Sequence, residues 1–234
     1  MSWAASQTRP DVSFDAYDLS TKLNKATYRD AKYSKKVVMK AKEEDVKLKF
    51  GHLGHIQNLH IELFVDAALG NMEKKFHTKS MMGYFIALAN DDLKISPLHW
   101  KSKVIEKVAE DVKTAETLAL ETAVDDAIHL TNIITELCFG NDNKYQIPIV
   151  VNEDSKSLVE SLYSTKKVKR KTMRVVISLL QQHMKNKTIQ HIHHVKSEDQ
   201  LGDIFTKRGV SKEQLLRSIE TGSLILTERK KKVG

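Results

Sequence analysis

Leu59-His60-Ile61-Glu62-Leu63-Phe64-Val65-Asp66 is the stretch on which the fold turns. Leu59, Ile61, Leu63 and Val65 alternate with His60, Glu62, Phe64 and Asp66, and a period of two over eight residues specifies a β-strand with one apolar face. The strand runs into an acid, Asp66, followed by the small pair Ala67-Ala68. A carboxylate at a strand end is a common place to hold a metal ion, provided that other acids later in the chain meet it.

Downstream, Gly70 to Ser80 is polar and reads as a loop, and Gly83-Tyr84-Phe85-Ile86-Ala87-Leu88 has the aromatic and β-branched content of a second strand. Asn90-Asp91-Asp92 marks a turn, and Ile95 to Val104, centred on Trp100, makes a third strand. Three consecutive strands on short connections imply an antiparallel meander. Ala115, Leu118, Ala119, Thr122, Ala123, Ala127, Leu130, Ile133, Ile134 and Leu137 then recur at helical steps, with Gly140 as the stop. Ile147 to Val151 is a fourth strand, with Pro148 tolerated near its start, and it leads into Asn152-Glu153-Asp154-Ser155.

Two helices follow, one through Leu158, Val159 and Leu162 and a basic one through Met173, Val176, Ile177, Leu180 and Met184. Thr188 to Val195 is the fifth strand, a helix from Ser197 carries Leu201, Ile204 and Phe205, and a last helix covers Ser211 to Ile219. This order predicts an α/β fold with a mixed five-stranded sheet and flanking helices.

Residues 1–50 are polar and basic, with a helix through Phe14, Tyr17, Leu19 and Leu23 and a short second one over Lys32 to Val38. Their apolar content is too low for a separate core, so they are expected to pack on the remainder or to be partly mobile. Gly51 and Gly54 mark the boundary, giving an N-terminal helical segment 1–50, a main domain 51–208 and a C-terminal helix with basic tail 209–234.

Composition narrows the class. The chain has 234 residues, 41% hydrophobic and 29% charged, enough for one substantial core. No apolar run approaches the roughly 18 residues of a membrane span, and Met1-Ser2-Trp3 does not open a secretory signal. The single cysteine, Cys138, cannot form an internal disulfide and reads as a small hydrophobe late in a helix; an intracellular protein, cytoplasmic or nuclear, is expected. A net charge of +8 favours a polyanionic partner.

The chain has 30 acidic residues, most of them expected to be solvated, but of Asp66, Glu116, Asp154 and Asp203 three lie at the ends or beginnings of elements around one sheet, and Asp203 sits on the helix after the fifth strand. If they converge, four carboxylates repel one another unless cations are present, and hard oxygen ligands suit Mg²⁺ or Mn²⁺. Two such ions activate a water and stabilise a leaving oxygen in phosphodiester cleavage.

Thr165-Lys166-Lys167-Val168-Lys169-Arg170-Lys171 and Arg174 form a basic run near the third acid. Lys166, Lys167, Lys169, Arg170, Lys171 and Arg174 are candidates to grip a phosphate backbone. His191, His193 and His194 do not make a zinc site, because strand alternation sends His194 to the other face and no third ligand is near. Trp100 and Tyr84 read as sheet-face aromatics rather than base platforms.

Several stretches together resemble the C-terminal end of a copia-type retrotransposon polyprotein: its ribonuclease H domain behind a short reverse-transcriptase-side remnant. They are Thr8-Arg9-Pro10-Asp11, Phe64-Val65-Asp66-Ala67, Ser80-Met81-Met82-Gly83-Tyr84, Trp100-Lys101-Ser102-Lys103, Ala115-Glu116-Thr117-Leu118-Ala119-Leu120, Glu153-Asp154-Ser155-Lys156-Ser157-Leu158 and Gln200-Leu201-Gly202-Asp203-Ile204-Phe205-Thr206-Lys207.

The resemblance implies a ribonuclease H-like fold and an Asp66, Glu116, Asp154, Asp203 catalytic and metal-binding quartet. The implied enzyme cuts the RNA strand of an RNA–DNA hybrid with two Mg²⁺ ions. Asp66 would bridge both ions, Glu116 and Asp154 would serve the leaving oxygen, and Asp203 the attacking water.

Departures from the family pattern are Asp111-Val112 in place of a Ser-Thr pair, Met82 for Gly, Glu153 for Thr and Gly202 for Ala. They leave a rival open: a domesticated nucleic-acid-binding or scaffold protein with little or no catalysis. No Tyr-X-Asp-Asp motif is present, which excludes polymerisation, and Met1 fits either an excised piece of the polyprotein or a host gene descended from the element.

Overall fold

The computed structural model describes residues 1–74, 77–140, 145–165, 168 and 170–227, with main chain alone over 71–74 and 77–78. Its centre is a five-stranded mixed sheet of β1 (His60–Lys74), β2 (His77–Ala89), β3 (Ile95–Val104), β4 (Ile149–Glu153) and β5 (Ile189–His194). The strand order is β3-β2-β1-β4-β5. β1, β2 and β3 are the expected antiparallel meander, and β4 and β5 add in parallel after long crossovers. This is the expected mixed five-stranded sheet with flanking helices.

Both faces of the sheet are covered. Ile61, Leu63, Val65 and Ala67 of β1, with Met82, Tyr84 and Ile86 of β2, pack under α4 (Val112–Phe139) and with α5 (Lys156–Tyr163) and α6 (Lys171–Lys185). Phe64, Phe85 and Trp100 face the other way, towards Leu201, Phe205 and α7 (Glu213–Thr221). Coverage of both faces explains why His60, Glu62 and Phe64, polar-side positions by alternation, are all buried. His60 Nε2 lies 2.9 Å from Glu62 Oε1, and Asn152 Nδ2 donates to Glu62 Oε2 at 2.6 Å, so the inward glutamate is partnered.

Residues 1–50 do pack on the rest. They contribute α1 (Ser2–Gln7), α2 (Ser13–Thr21) and α3 (Tyr28–Glu43), the last much longer than the short helix expected. Trp100 Nε1 donates to Ala5 O at 2.7 Å, Val104 N to Tyr17 Oη at 3.1 Å, and Lys49 N to Ile219 O at 2.9 Å. Phe14 packs on Ala68, Met81 and Val104, the same sheet face that carries Asp66. Arg9 holds Asp11 with paired 2.8 Å bonds and also binds Ala41 O at the end of α3, which gives Thr8-Arg9-Pro10-Asp11 a structural role.

Two expectations fail. Gly70 to Ser80 is not a loop: β1 and β2 pair as far as Lys74 and His77, with a register irregularity between Ala68 and Met72. A two-stranded ribbon is held by its main-chain ladder, so polar composition concealed it. The segment from Ser197 is not one helix but two 3₁₀ turns, Ser197–Asp199 and Asp203–Phe205. Gln200 is extended between them because its side chain binds main chain on two strands: Nε2 donates to Val65 O at 2.9 Å and to Asn152 O at 3.3 Å. Cys138 lies in α4 as expected, but is exposed.

Candidate active site

Asp66, Asp154 and Asp203 converge, and so do Glu116, Glu153 and Asp154. Within each group carboxylate oxygens lie within 4.8 Å of one another. The four acids singled out from sequence are therefore brought together, Asp154 is common to both groups, and Glu153 is a fifth member.

The elements explain the convergence. β1 and β4 run parallel and their last paired residues are Phe64 and Asn152, so Asp66 and Asp154 each stand two residues past the same rung. Glu116 sits in the first turns of α4, whose start is set by Asp111: its carboxylate accepts from Thr114 N at 2.7 Å. Asp111 is thus the N-cap of α4. Asp203 opens the second 3₁₀ turn, anchored through Gly202 N, which donates to Gln200 Oε1 at 3.0 Å.

Two glycines permit the turn to lie this close. A Cβ on Gly83 would stand 2.4 Å from Phe205 Cβ, and one on Gly202 would stand 2.9 Å from both Asp66 N and Val65 C. At Gly202 main chain occupies the space that a methyl group would need.

The charges are strained against one another. Burial, then Asp203, pushes the Asp66 carboxyl up to about 7, although Lys207 and Thr206 pull it down. Burial, then Glu153, raises Glu116 to about 10. Glu153 is fully buried and held well above the usual carboxylate range by burial, despite accepting from Ser155 N at 3.0 Å. Asp154 is raised by burial and then by Asp203. Glu116 Oε2 and Glu153 Oε2 are buried without a hydrogen-bond partner. Groups left in this condition call for a counter-charge or a shared proton.

One cation is built in. Lys207 Nζ stands 2.7 Å from Asp203 Oδ1 and 3.4 Å from Asp66 Oδ1, and Thr206 Oγ1 donates to Asp66 Oδ2. Burial lowers the lysine pKa, but Asp66 and Asp203 outweigh it and raise it. Glu153, Thr206, Lys207 and Gln200 were not assigned roles from sequence; the two-residue spacing of an acid pair past a shared rung appears only with the register.

The basic run is partly described. Arg170 pairs with Glu110 at 3.1 Å and Asp111 at 3.0 Å, and Arg174 Nε donates to Val168 O at 2.9 Å. Lys171 is exposed at the start of α6. Lys166, Lys167 and Lys169, like the basic end at 229–232, lie outside the described residues. His194 Nε2 lies 3.1 Å from Asp154 O, while the His191 and His193 rings are neighbours at 5.8 Å. Among the described residues no helix is long and apolar enough to cross a membrane.

No protein-family model matches the chain, and no curated protein matches it. Solved structures do. A ribonuclease H1 isolated from compost by a metagenomic approach matches with a TM-score of 0.45 at 16% identity over 66% of this chain and 97% of that one; the same enzyme has been solved with an RNA/DNA hybrid. Ribonuclease H1 of the archaeon Halobacterium salinarum matches with a TM-score of 0.41 at 16% identity, over 63% of this chain and 94% of that one. The protease-reverse transcriptase of prototype foamy virus matches with a TM-score of 0.39 at 13% identity, over 87% of this chain but 28% of that one.

Proposed function

We propose that the chain is a metal-dependent endonuclease of the ribonuclease H type, hydrolysing the RNA strand of RNA–DNA hybrids, and that it derives from a copia-type retrotransposon. In this reading residues 1–50 are the reverse-transcriptase-side segment, 51–208 the nuclease domain and 209–234 its C-terminal helix and tail. The single observation that carries it is the meeting of Asp66, Glu116, Glu153, Asp154 and Asp203 in two overlapping groups. Five acids from four places in the chain, two of them with orphaned buried oxygens, fit divalent cations far better than they fit a hydrophobic fold.

The donors are all carboxylate oxygens, which matches Mg²⁺ or Mn²⁺. Asp66, Asp154 and Asp203 would hold one ion; Glu116, Glu153 and Asp154 the other. When bound, such a pair lowers the pKa of water and stabilises the departing oxygen of a phosphodiester. The protein's own part is to exclude bulk water from Glu116 and Glu153, to fix Asp66 through Thr206, and to place the Lys207 ammonium beside Asp66 and Asp203, where a scissile phosphate would add negative charge.

Glu116→Gln or Asp154→Asn should abolish cleavage of a hybrid while leaving its binding in EDTA intact. Full cleavage by either variant would remove the cluster from the chemistry.

The second reading, a binding or scaffold protein without useful turnover, draws on Lys207. An ammonium already seated between Asp66 and Asp203 lets the fold stand without metal. That reading expects hybrid binding with no Mg²⁺-dependent cleavage at all.

A further inference from the structure

Beside the acidic cluster lies a basic concavity formed between α3 and the residue that follows Lys207. It encloses about 640 Å³, and its cations are Lys22, Arg29, Lys32, Lys36 and Arg208. Tyr33 and Asp30 complete the lining. The acid is already engaged: Asp30 caps α3, accepting from Thr27 N at 2.9 Å and Thr27 Oγ1 at 2.6 Å. Lys22 donates to Asp18 at 2.8 Å and Arg208 shares that carboxylate. Arg29, Lys32 and Lys36 have no carboxylate partner among the described residues.

The spacing of these three is i, i+3, i+7, which stacks them on one face of α3. Like charges so placed repel, and among the described residues none of the three is neutralised by an ion pair. The rest of the wall is tied together by contacts. The Arg208 guanidinium carbon lies 4.1 Å from the centre of the Tyr33 ring, and Tyr33 Oη donates to Asp15 at 2.7 Å. Asp15 in turn accepts from Lys212 Nζ at 3.2 Å, and Phe14 beside it packs on Ala68, two residues beyond Asp66.

We propose that this concavity is a phosphate-binding site for the backbone of the nucleic acid that the acidic cluster serves, taking phosphodiesters a few nucleotides from the point of cleavage. The position follows from Lys207 and Arg208 being adjacent: one reaches Asp66 and Asp203, the other lines the concavity. Because the two residues are consecutive, a strand whose phosphate meets Lys207 offers its neighbouring phosphates, one per ~3.4 Å of duplex axis, to the concavity. The contact is sequence-independent and positions the strand rather than reading it. It places the substrate grip in the N-terminal segment, outside the sheet domain.

The inference rests on the hybrid-nuclease reading for its ligand, and binding without metal separates the two. Binding of a fluorescent RNA–DNA hybrid to the full chain is measured in EDTA against salt, for wild type, for Arg29→Ala/Lys32→Ala/Lys36→Ala, and for Arg29→Lys/Lys32→Arg/Lys36→Arg. The alanine triple, with its circular dichroism unchanged, should flatten the slope of log K against log salt by about 2–3, while the charge-keeping triple retains it. An unchanged slope in the alanine triple overturns the site. So does a wild type stabilised by inorganic phosphate alone with a hybrid slope indifferent to the triple, which would mark a small-anion pocket. A flattened slope in a protein that never cleaves sustains the grip and refutes only the nuclease.

Discussion

Asp66→Asn should abolish cleavage and yet make the metal-free protein more stable at neutral to alkaline pH. Burial and Asp203 hold this carboxyl at about 7, against an ordinary 3.8. A raised carboxyl pKa means that between those values the folded chain keeps a proton that the unfolded chain has lost. Stability therefore falls as pH rises through the window from about 4 to 7, and the whole penalty is present above it. Each pH unit is worth up to about 1.4 kcal/mol, so the span amounts to about 4 kcal/mol; halving it for relaxation around buried charges leaves about 2 kcal/mol.

For a chain of this length that corresponds to about 4–8 °C in Tm. Thermal unfolding in EDTA at pH 4.5 and pH 8, followed by circular dichroism, reads the difference. Asp66→Asn should lie close to wild type at pH 4.5 and about 4–8 °C above it at pH 8. A variant less stable than wild type at pH 8, or displaced equally at both pH values, would refute the electrostatic account.

Millimolar Mg²⁺ or Mn²⁺ should raise the wild-type Tm, more at pH 8 than at pH 6 because the ligand carboxylates must be ionised; Asp154→Asn, lacking the acid common to both groups, should lose the shift, as differential scanning fluorimetry will show. Lys207→Met removes the built-in cation, so it should lower the Tm in EDTA and lower the metal concentration needed for half-maximal stabilisation; an unchanged metal midpoint would mean that lysine and metal do not compete. Gly83→Ala should cost about 1–3 kcal/mol in denaturant unfolding, because a Cβ there meets Phe205.

Much of the sheet was legible because its pattern is local. The alternation from Leu59 to Asp66 gave a strand, the three- and four-residue steps from Ala115 gave α4, and Ile95–Val104 has the bounds read from its sequence. The 197–205 segment was not legible, since apolar spacing at Leu201, Ile204 and Phe205 mimics a helix while Gln200 and Gly202 obey contacts with strands more than 130 residues earlier.

The same holds for the site. Four acids could be named by resemblance, but Glu153 looked like a mere departure until strand register turned it inward against Glu116. Lys207 belonged to a resembling stretch but had no legible role, because a lysine four residues after an aspartate is ordinary on any surface; its reach to Asp66 depends on the turn bringing it there. The hairpin beyond Ala68 was hidden for the opposite reason: its ladder is main chain, and its side chains advertise a loop.

The most direct test of the central claim is an RNA–DNA hybrid labelled separately on each strand and incubated with the purified full chain in Mg²⁺ and in EDTA. The account requires cleavage of the RNA strand alone, in Mg²⁺ alone, and none by Asp66→Asn. A folded, Mg²⁺-binding wild type that leaves the RNA strand whole would contradict it.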